Sequence, residues 1–513
     1  MSDTSNGVET ESYAGRFGAI MSMAGMCIGM GNVWRFPYMV GQFGGGSFII
    51  AYIACLVVVV MPLALVECGL GKGLGKGLMQ AFEVSLKSKK AGKVFGGVFA
   101  FSYYSMNFFY FIVVSASVYF AYASATSKWN TVRPELIYDN FSANHALMAV
   151  ISVVLVIATA VILAKGVSGG IEKVSKIMIP LMFLFFIVAI FFGIFCIDGI
   201  SKGYNWYIEP DLSVLAKPDV WVAAMGQALF SVGVGPGCVL VYGSHLSKTS
   251  DVTLTMTTVC LLCCCVGVIT GMAIIPACIA MGLNPESGSK LIFIVLPTLF
   301  SKLPGGALIG ALVFIAIFFA GISSAIAQLE VIVASFADGF GWSRKKAVFI
   351  FGGINIVAAV IAAYRESFYD FWNNFSGNYG FIVTAGIGAI VYGYIYGVEK
   401  IRANFLNPSG DIRLGKWFTG FVKFVATPIM LIIMANSLFP FLITGETSTA
   451  RPMENALSAT TIVTLVLIVV LLFGGTIFLL AKCLTAKEKT EEEIAEYMKN
   501  ESIRQSNKER SLS

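Results

Sequence analysis

Twelve stretches of this chain run without Asp, Glu, Lys or Arg for long enough, or nearly long enough, to cross a bilayer core of about 30 Å. They are 17–34, 36–66, 94–127, 141–164, 177–197, 221–247, 252–284, 303–329, 347–364, 375–398, 424–445 and 455–481. Of the 513 residues, 57% are hydrophobic and 12% charged, and the mean hydropathy is +0.81, which excludes a soluble enzyme. Backbone N–H and C=O groups in lipid must be satisfied within the segment itself, so the spans are helices. A span can be broken only where protein or a watery cavity covers the break.

The acidic, polar first dozen residues lack the basic region and cleavage site of a secretory signal, so the first span is expected to remain as a membrane helix. With the N-terminus in the cytoplasm, 26 of the 35 Lys and Arg fall inside and 9 outside; without the C-terminal tail the split is 19 to 9. This positive-inside bias places both termini in the cytoplasm. It also explains the net charge of +6 through contact with anionic lipid headgroups rather than nucleic acid. The connections leave no room for a soluble domain. The segment after Lys482 is charged and Ser-rich, and reads as a short helix including Glu491 to Tyr497 followed by disorder.

Two spans are interrupted in mid-membrane. The first contains Gly25-Met26-Cys27-Ile28-Gly29-Met30-Gly31-Asn32, and the sixth contains Ser231-Val232-Gly233-Val234-Gly235-Pro236-Gly237. They lie five helices apart, and an odd number of crossings turns the second set of five upside down relative to the first. Broken helices at matching positions of inverted repeats point to a transport site at the bilayer midplane. The expected architecture is an all-α integral membrane protein of 12 transmembrane helices, a 5+5 inverted repeat with helices 1 and 6 broken. Its parts are a cytoplasmic segment 1–15, repeats 16–202 and 203–400, helices 11 and 12 in 401–482, and a cytoplasmic tail 483–513.

Ten of the eleven cysteines sit in spans or at their edges, and the only histidines are His145 and His245. Adjacent thiols in Cys263-Cys264-Cys265 project about 100° apart on a helix, which suits packing rather than a shared metal.

The stretch from Arg16-Phe17-Gly18 through Gly29-Met30-Gly31-Asn32-Val33-Trp34-Arg35-Phe36-Pro37, with Gly44-Gly45-Gly46-Ser47-Phe48, strongly resembles the opening of the neurotransmitter:sodium symporter family. The likeness continues in Gly169-Gly170-Ile171-Glu172-Lys173, Gly226-Gln227-Ala228-Leu229-Phe230-Ser231, Ala320-Gly321-Ile322-Ser323-Ser324 and Asp370-Phe371-Trp372, and so covers nearly the whole chain. It implies a secondary transporter that couples sodium entry to uptake of an amino acid or related amine.

The same resemblance implies site residues. A second sodium site takes the carbonyls of Gly25, Ile28 and Ala320 and the hydroxyls of Ser323 and Ser324, hard oxygens that suit a hard cation. A first sodium site takes Cys27, Asn32 and Ser231, but span 7 reads Leu261-Leu262-Cys263-Cys264-Cys265-Val266-Gly267 and lacks the family's Asn. Tyr52, Gln227 and Ser231 match chloride ligands. The span-7 chloride position falls at Gly267 or Val266, which carry neither hydroxyl nor charge, so chloride is not expected to be obligatory. Tyr110 and the amides of Met30 and Gly31 would meet a substrate carboxylate, with carbonyls of Cys27, Phe230 and Ser231 on its ammonium. Gly29 stands where monoamine carriers have Asp, so the substrate must bring its own carboxylate. Met106, Phe230, Val232, Gly233, Pro236, Ser324 and Gln328 would surround the side chain.

Arg35 and Asp370 match an outer gate pair, and Tyr110 and Phe230 an aromatic lid. On the inner side Asp338 is present, but its usual N-terminal Arg partner is missing; the first basic residue is Arg16, and neither Thr10 nor Tyr13 replaces that charge. The resulting expectation is a sodium-coupled symporter for a neutral, apolar or aromatic amino acid. The alternative is a transporter-shaped sensor that binds without completing transport. A channel is disfavoured because no filter repeat or Arg-rich voltage helix occurs, and an enzyme because no catalytic constellation lies in the membrane. The short connection between spans 3 and 4 points to a bacterial plasma membrane, and Asn140-Phe141-Ser142 reads as an incidental glycosylation pattern.

Overall fold

A computed structural model describes residues 11–283, 291–408 and 412–438. Within them every regular element is helical, with a single isolated bridge between Gly45 and Pro210. Nine helical stretches are long and apolar enough to cross a membrane, and the bent pair Arg16–Cys27 and Gly31–Gln42 forms span 1. The others are Gly46–Leu74 (span 2), Lys89–Ala125 (3), His145–Ala164 (4), Val167–Cys196 (5), Val252–Ala280 (7), Gly306–Phe340 (8), Arg344–Tyr364 (9), Glu366–Leu406 (10) and Lys416–Asn436 (11). Span 6 is two shorter helices, Pro218–Val232 and Cys238–Ser244, on either side of the glycine run. The expected twelfth span and the tail lie outside the described residues.

Spans 3 and 8 pack against each other at the centre, and the most apolar window of span 8 is 78% buried. The same window of span 5 is only 33% buried. Val150, Val154, Ile157 and Val161 form an exposed stripe along one face of span 4, as a helix turned toward lipid requires.

Several helices differ in extent from the uncharged stretches. Span 8 continues to Phe340 through Glu330 and Asp338, and span 10 begins at Glu366 and includes Asp370. Charged residues are tolerated there because they have partners or reach the helix end. Span 4 starts at His145, and residues before it form a separate helix, Pro134–Ala143. The Asn140-Phe141-Ser142 triplet lies in that helix with Phe141 buried.

Both breaks occur where the sequence places them. Helix Arg16–Cys27 stops because Ile28 turns extended (φ −84°, ψ 94°), and the chain resumes at Gly31 with a bend of 59°. Helix Pro218–Val232 ends on Gly233 at φ +78°, a left-handed cap that glycine adopts without strain. Gly235 follows at φ +119°, pressed so closely on Ala385 that a Cβ would collide with it. The buried Glu67 of span 2 accepts the Gly235 N–H at 3.0 Å, supplying a partner for backbone that the break has freed.

Replacing Glu67 with Leu leaves the Gly235 N–H buried and unpaired, at a cost of about 1–3 kcal/mol. The variant is expected to melt below the wild type in detergent; an unchanged melting temperature would show that Glu67 does not support the break.

Candidate functional site

The two breaks meet at a small cavity of ≈ 20 Å³, lined by Met26, Cys27, Gly29, Met30, Gly31, Tyr103, Met106, Tyr110, Phe230, Gly233, Ser324, Gln328 and Phe381. That is room for about one water, so a molecule of amino-acid size would fit only if side chains such as Phe230 moved out. Of the residues expected around a substrate, ten line the cavity, while Ser231, Val232 and Pro236 do not. Met26, Tyr103 and Phe381 were not expected. Tyr103 precedes Met106 by three residues, a spacing that could have revealed it; Phe381 carries no local signal. Its ring lies 5.6 Å from that of Phe230.

The unwound strand of span 1 is tied to the cavity wall. The Met30 N–H donates to the Tyr110 hydroxyl at 3.2 Å. Gly29 has no room for a side chain: a Cβ there would collide with the Ser324 hydroxyl and come within 3.3 Å of Tyr110 Oη. The Gln328 Oε1 is buried without a hydrogen-bond partner.

On the other side of the break, Ser323 Oγ lies 3.3 Å from the Ile28 carbonyl and 3.0 Å from the Ala320 carbonyl. A Cβ on Gly25 would lie 3.5 Å from Ser323 Cβ, so Gly25 borders the same spot. Three of the oxygens expected for a second sodium, from spans 1 and 8, thus lie together beside Gly25. The Ser324 hydroxyl faces Gly29 and Tyr110 instead.

The position expected for a first sodium is built differently. Asn32 Nδ2 donates to Cys263 Sγ at 2.9 Å and to the Cys263 carbonyl at 3.2 Å, while its Oδ1 is buried without a partner. The Cys263 thiol donates to the Ser231 carbonyl at 3.0 Å and points to the Cys27 carbonyl at 3.7 Å.

At the expected chloride position, Gln227 Nε2 donates to the Gly31 carbonyl at 2.8 Å and to Ser231 Oγ at 3.1 Å. Tyr52 is buried in edge contact with Phe36, 4.9 Å between ring centres, and the Phe36 ring fills the space beside Gly267. The amide of Gln227 is thus engaged in closing spans 1 and 6 together.

The outer gate pair is not closed. Among the described residues Arg35 and Asp370 form no ion pair. The Arg35 guanidinium donates to Gln227 Oε1 at 2.9 Å and lies 5.9 Å over the Phe230 ring, while Asp370 is exposed. Tyr110 and Phe230 both line the cavity, but their ring contacts are with Phe109 and Phe381 respectively.

On the face carrying the N-terminal segment, Asp338 accepts the Gly77 N–H at 2.6 Å, at the start of helix Leu78–Leu86. The charged contact of the N-terminal segment lies elsewhere and has the opposite sign. Glu11 Oε2 accepts the Val167 N–H at 2.7 Å and lies 3.6 Å from Arg344. Arg344 binds the buried Glu330 through both nitrogens, at 3.0 and 2.5 Å, and donates to the Leu163 carbonyl at 2.8 Å. His245 bridges the Glu330 carboxylate at 3.2 Å and the Glu11 carbonyl at 3.0 Å, and accepts the Tyr13 N–H on its own carbonyl at 3.1 Å. The sequence reading missed Glu11, Glu330 and Arg344 because it sought a basic N-terminal partner for Asp338.

The sodium:neurotransmitter symporter family model matches residues 10–150 and 136–479. The chain belongs to the sodium:neurotransmitter symporter family. It is 30% identical to an uncharacterised sodium-dependent transporter of Methanocaldococcus jannaschii, over 83% of this chain and 89% of that one. It is 28% identical to another of Haemophilus influenzae, over 85% of this chain and 100% of the other. Its structure superposes on that of MhsT in complex with L-phenylalanine with a TM-score of 0.73 and 28% identity, covering 83% of this chain and 99% of that one. The symporter fold, with its broken helices and inverted repeats, is therefore shared. This chain is a multi-pass membrane transporter of a sodium-coupled family acting on a small molecule, and not an enzyme.

Removing the Arg344 charge as Arg344→Gln leaves the buried Glu330 carboxylate to His245 and is expected to destabilise the protein by about 3–5 kcal/mol. Glu11→Gln removes only the half-exposed arm and should change stability by less than about 1 kcal/mol. Comparable melting-temperature losses in the two variants would contradict this ranking.

Proposed function

We propose that this protein takes up a neutral, zwitterionic α-amino acid, apolar or aromatic, together with sodium by alternating access. One observation carries the reading: at the break of span 1 the Tyr110 hydroxyl meets the Met30 amide, while Gly29 leaves no protein carboxylate beside them. Half-helix amides and a neutral phenol attract an anion, and freed carbonyls attract a cation, so a ligand bearing both charges satisfies both ends. The phenylalanine bound to the structurally similar MhsT supports an aromatic or apolar side chain, as do Met106, Phe230 and Phe381 around the cavity. In the proposed assignment Ser323 with the Gly25, Ile28 and Ala320 carbonyls holds the second sodium, and Ser324 turns its hydroxyl toward the substrate.

Chloride is not an obligatory partner in this reading. The Gln227 amide is already committed to Gly31, Ser231 and Arg35, and Phe36 occupies the space where a span-7 ligand would project. The Glu11–Arg344–Glu330 latch gives the inner side its own closure, which favours a complete transport cycle over a sensor. We place the protein in a bacterial inner membrane, from the short connection between spans 3 and 4, with both termini cytoplasmic, from its charge asymmetry. The proposed parts remain repeats 16–202 and 203–400 with spans 11 and 12 outside them.

The test is uptake of labelled amino acids into proteoliposomes under a sodium gradient, with gluconate replacing chloride. Uptake of phenylalanine, tyrosine, tryptophan or leucine is expected. Each unpaired buried polar group costs about 1–3 kcal/mol, so the decarboxylated amine of the preferred substrate should compete at least about tenfold more weakly. An amine that competes as well as its amino acid would refute the carboxylate argument, and exchange that ignores sodium would refute the coupling.

A further inference from the structure

The break in span 6 leaves the last carbonyls of helix Pro218–Val232 and that of its cap Gly233 without helical partners, and three cysteines from three different segments reach them. Cys263 of span 7 donates to the Ser231 carbonyl at 3.0 Å. Cys27 of span 1 donates to the Val232 carbonyl at 3.1 Å. Cys238, at the start of the second half of span 6, donates to the Gly233 carbonyl at 2.8 Å. All three thiols are buried.

The thiol of Cys263 stands apart because of its other neighbours. It also points to the Cys27 carbonyl at 3.7 Å and accepts from Asn32 Nδ2 at 2.9 Å. Its surroundings are therefore two carbonyls and an Asn side chain drawn from both broken helices, the kind of oxygen set that would otherwise invite a small hard cation. Sulfur is a soft and poor ligand for sodium. A thiol does, however, offer one polarised hydrogen to carbonyls and a sulfur to an amide donor, and here both capacities are used. The Asn32 amide presents its nitrogen to the sulfur and to the Cys263 carbonyl.

Resting on the sodium-coupled reading above, we propose that the Cys263 thiol takes the place of a cation between the two broken helices, so that this transporter binds and carries a single sodium ion, the one beside Ser323. The thiol bridges spans 1, 6 and 7 through hydrogen bonds, where an ion would bridge them by coordination. The Asn32 Oδ1 is buried without a partner, and it would join a cation site if residue 263 supplied an oxygen in place of the sulfur.

The test is equilibrium binding of radioactive sodium to the purified full-length protein, wild type and Cys263→Asn. The wild type is expected to bind about one ion per chain, without cooperativity. Cys263→Asn replaces the sulfur with a carbonyl oxygen and is expected to bind about two. Where the Asn variant does not yield monodisperse protein, Cys263→Asp supplies the same oxygen with a charge and is expected to give the same doubling. Two ions per wild-type chain would overturn the inference while leaving the symporter reading intact, and an oxygen-bearing variant that still binds one would overturn the role given to the thiol. No saturable sodium binding to the wild type would overturn the sodium-coupled reading itself.

Discussion

The structure depends on satisfying unwound backbone inside a membrane. Two helices open in mid-span, and each freed N–H or C=O would cost several kcal/mol in lipid without a partner. The neighbouring helices supply those partners: Glu67 to Gly235, Tyr110 to Met30, Ser323 to Ile28, and three thiols to the end of the first half of span 6. Apart from the Cys238 contact, which spans the break of span 6 itself, each of these joins a break to another span, which is why the breaks hold the centre of the molecule together. The oxygens and amides that remain around them form the candidate binding site.

The two faces of the site are held by unlike means. Toward one side, Arg35 bridges to span 6 through Gln227 and the face of Phe230, with Asp370 left exposed. Toward the other, Glu11 folds the N-terminal segment onto Arg344, whose guanidinium is fixed by the buried Glu330. An ion pair with one half-exposed partner breaks more cheaply than one buried on both sides. The Glu11 arm is therefore the part of this latch suited to release, and the Glu330 arm the part suited to stay.

Much of this was legible in the residues. Spans longer than a bilayer declare themselves by the absence of charge, and glycine runs such as 233–237 mark breaks because only glycine takes the left-handed turns found there. Ten cavity residues followed from the motifs at Gly29, Gly226 and Ala320 and from Tyr110. What stayed hidden depends on pairing across space. Glu330 and Asp370 sit within helices that a charge-free criterion cuts short, and Arg344 finds its partners only once spans 8 and 9 are placed side by side. Cys263 read as a packing residue until the fold set it against Ser231 and Asn32. Phe381 reaches the cavity from span 10, which local sequence cannot indicate.

The central claim is that opening span 1 against span 8 creates a sodium site whose oxygens include the Ser323 hydroxyl. The most direct measurement is the sodium concentration needed for half-maximal binding of radioactive sodium to the wild type and to Ser323→Ala. Losing a ligand in a desolvated site costs about 1–3 kcal/mol, so the account predicts at least a roughly fivefold rise in that concentration. A Ser323→Ala variant that binds sodium as tightly as the wild type would contradict it.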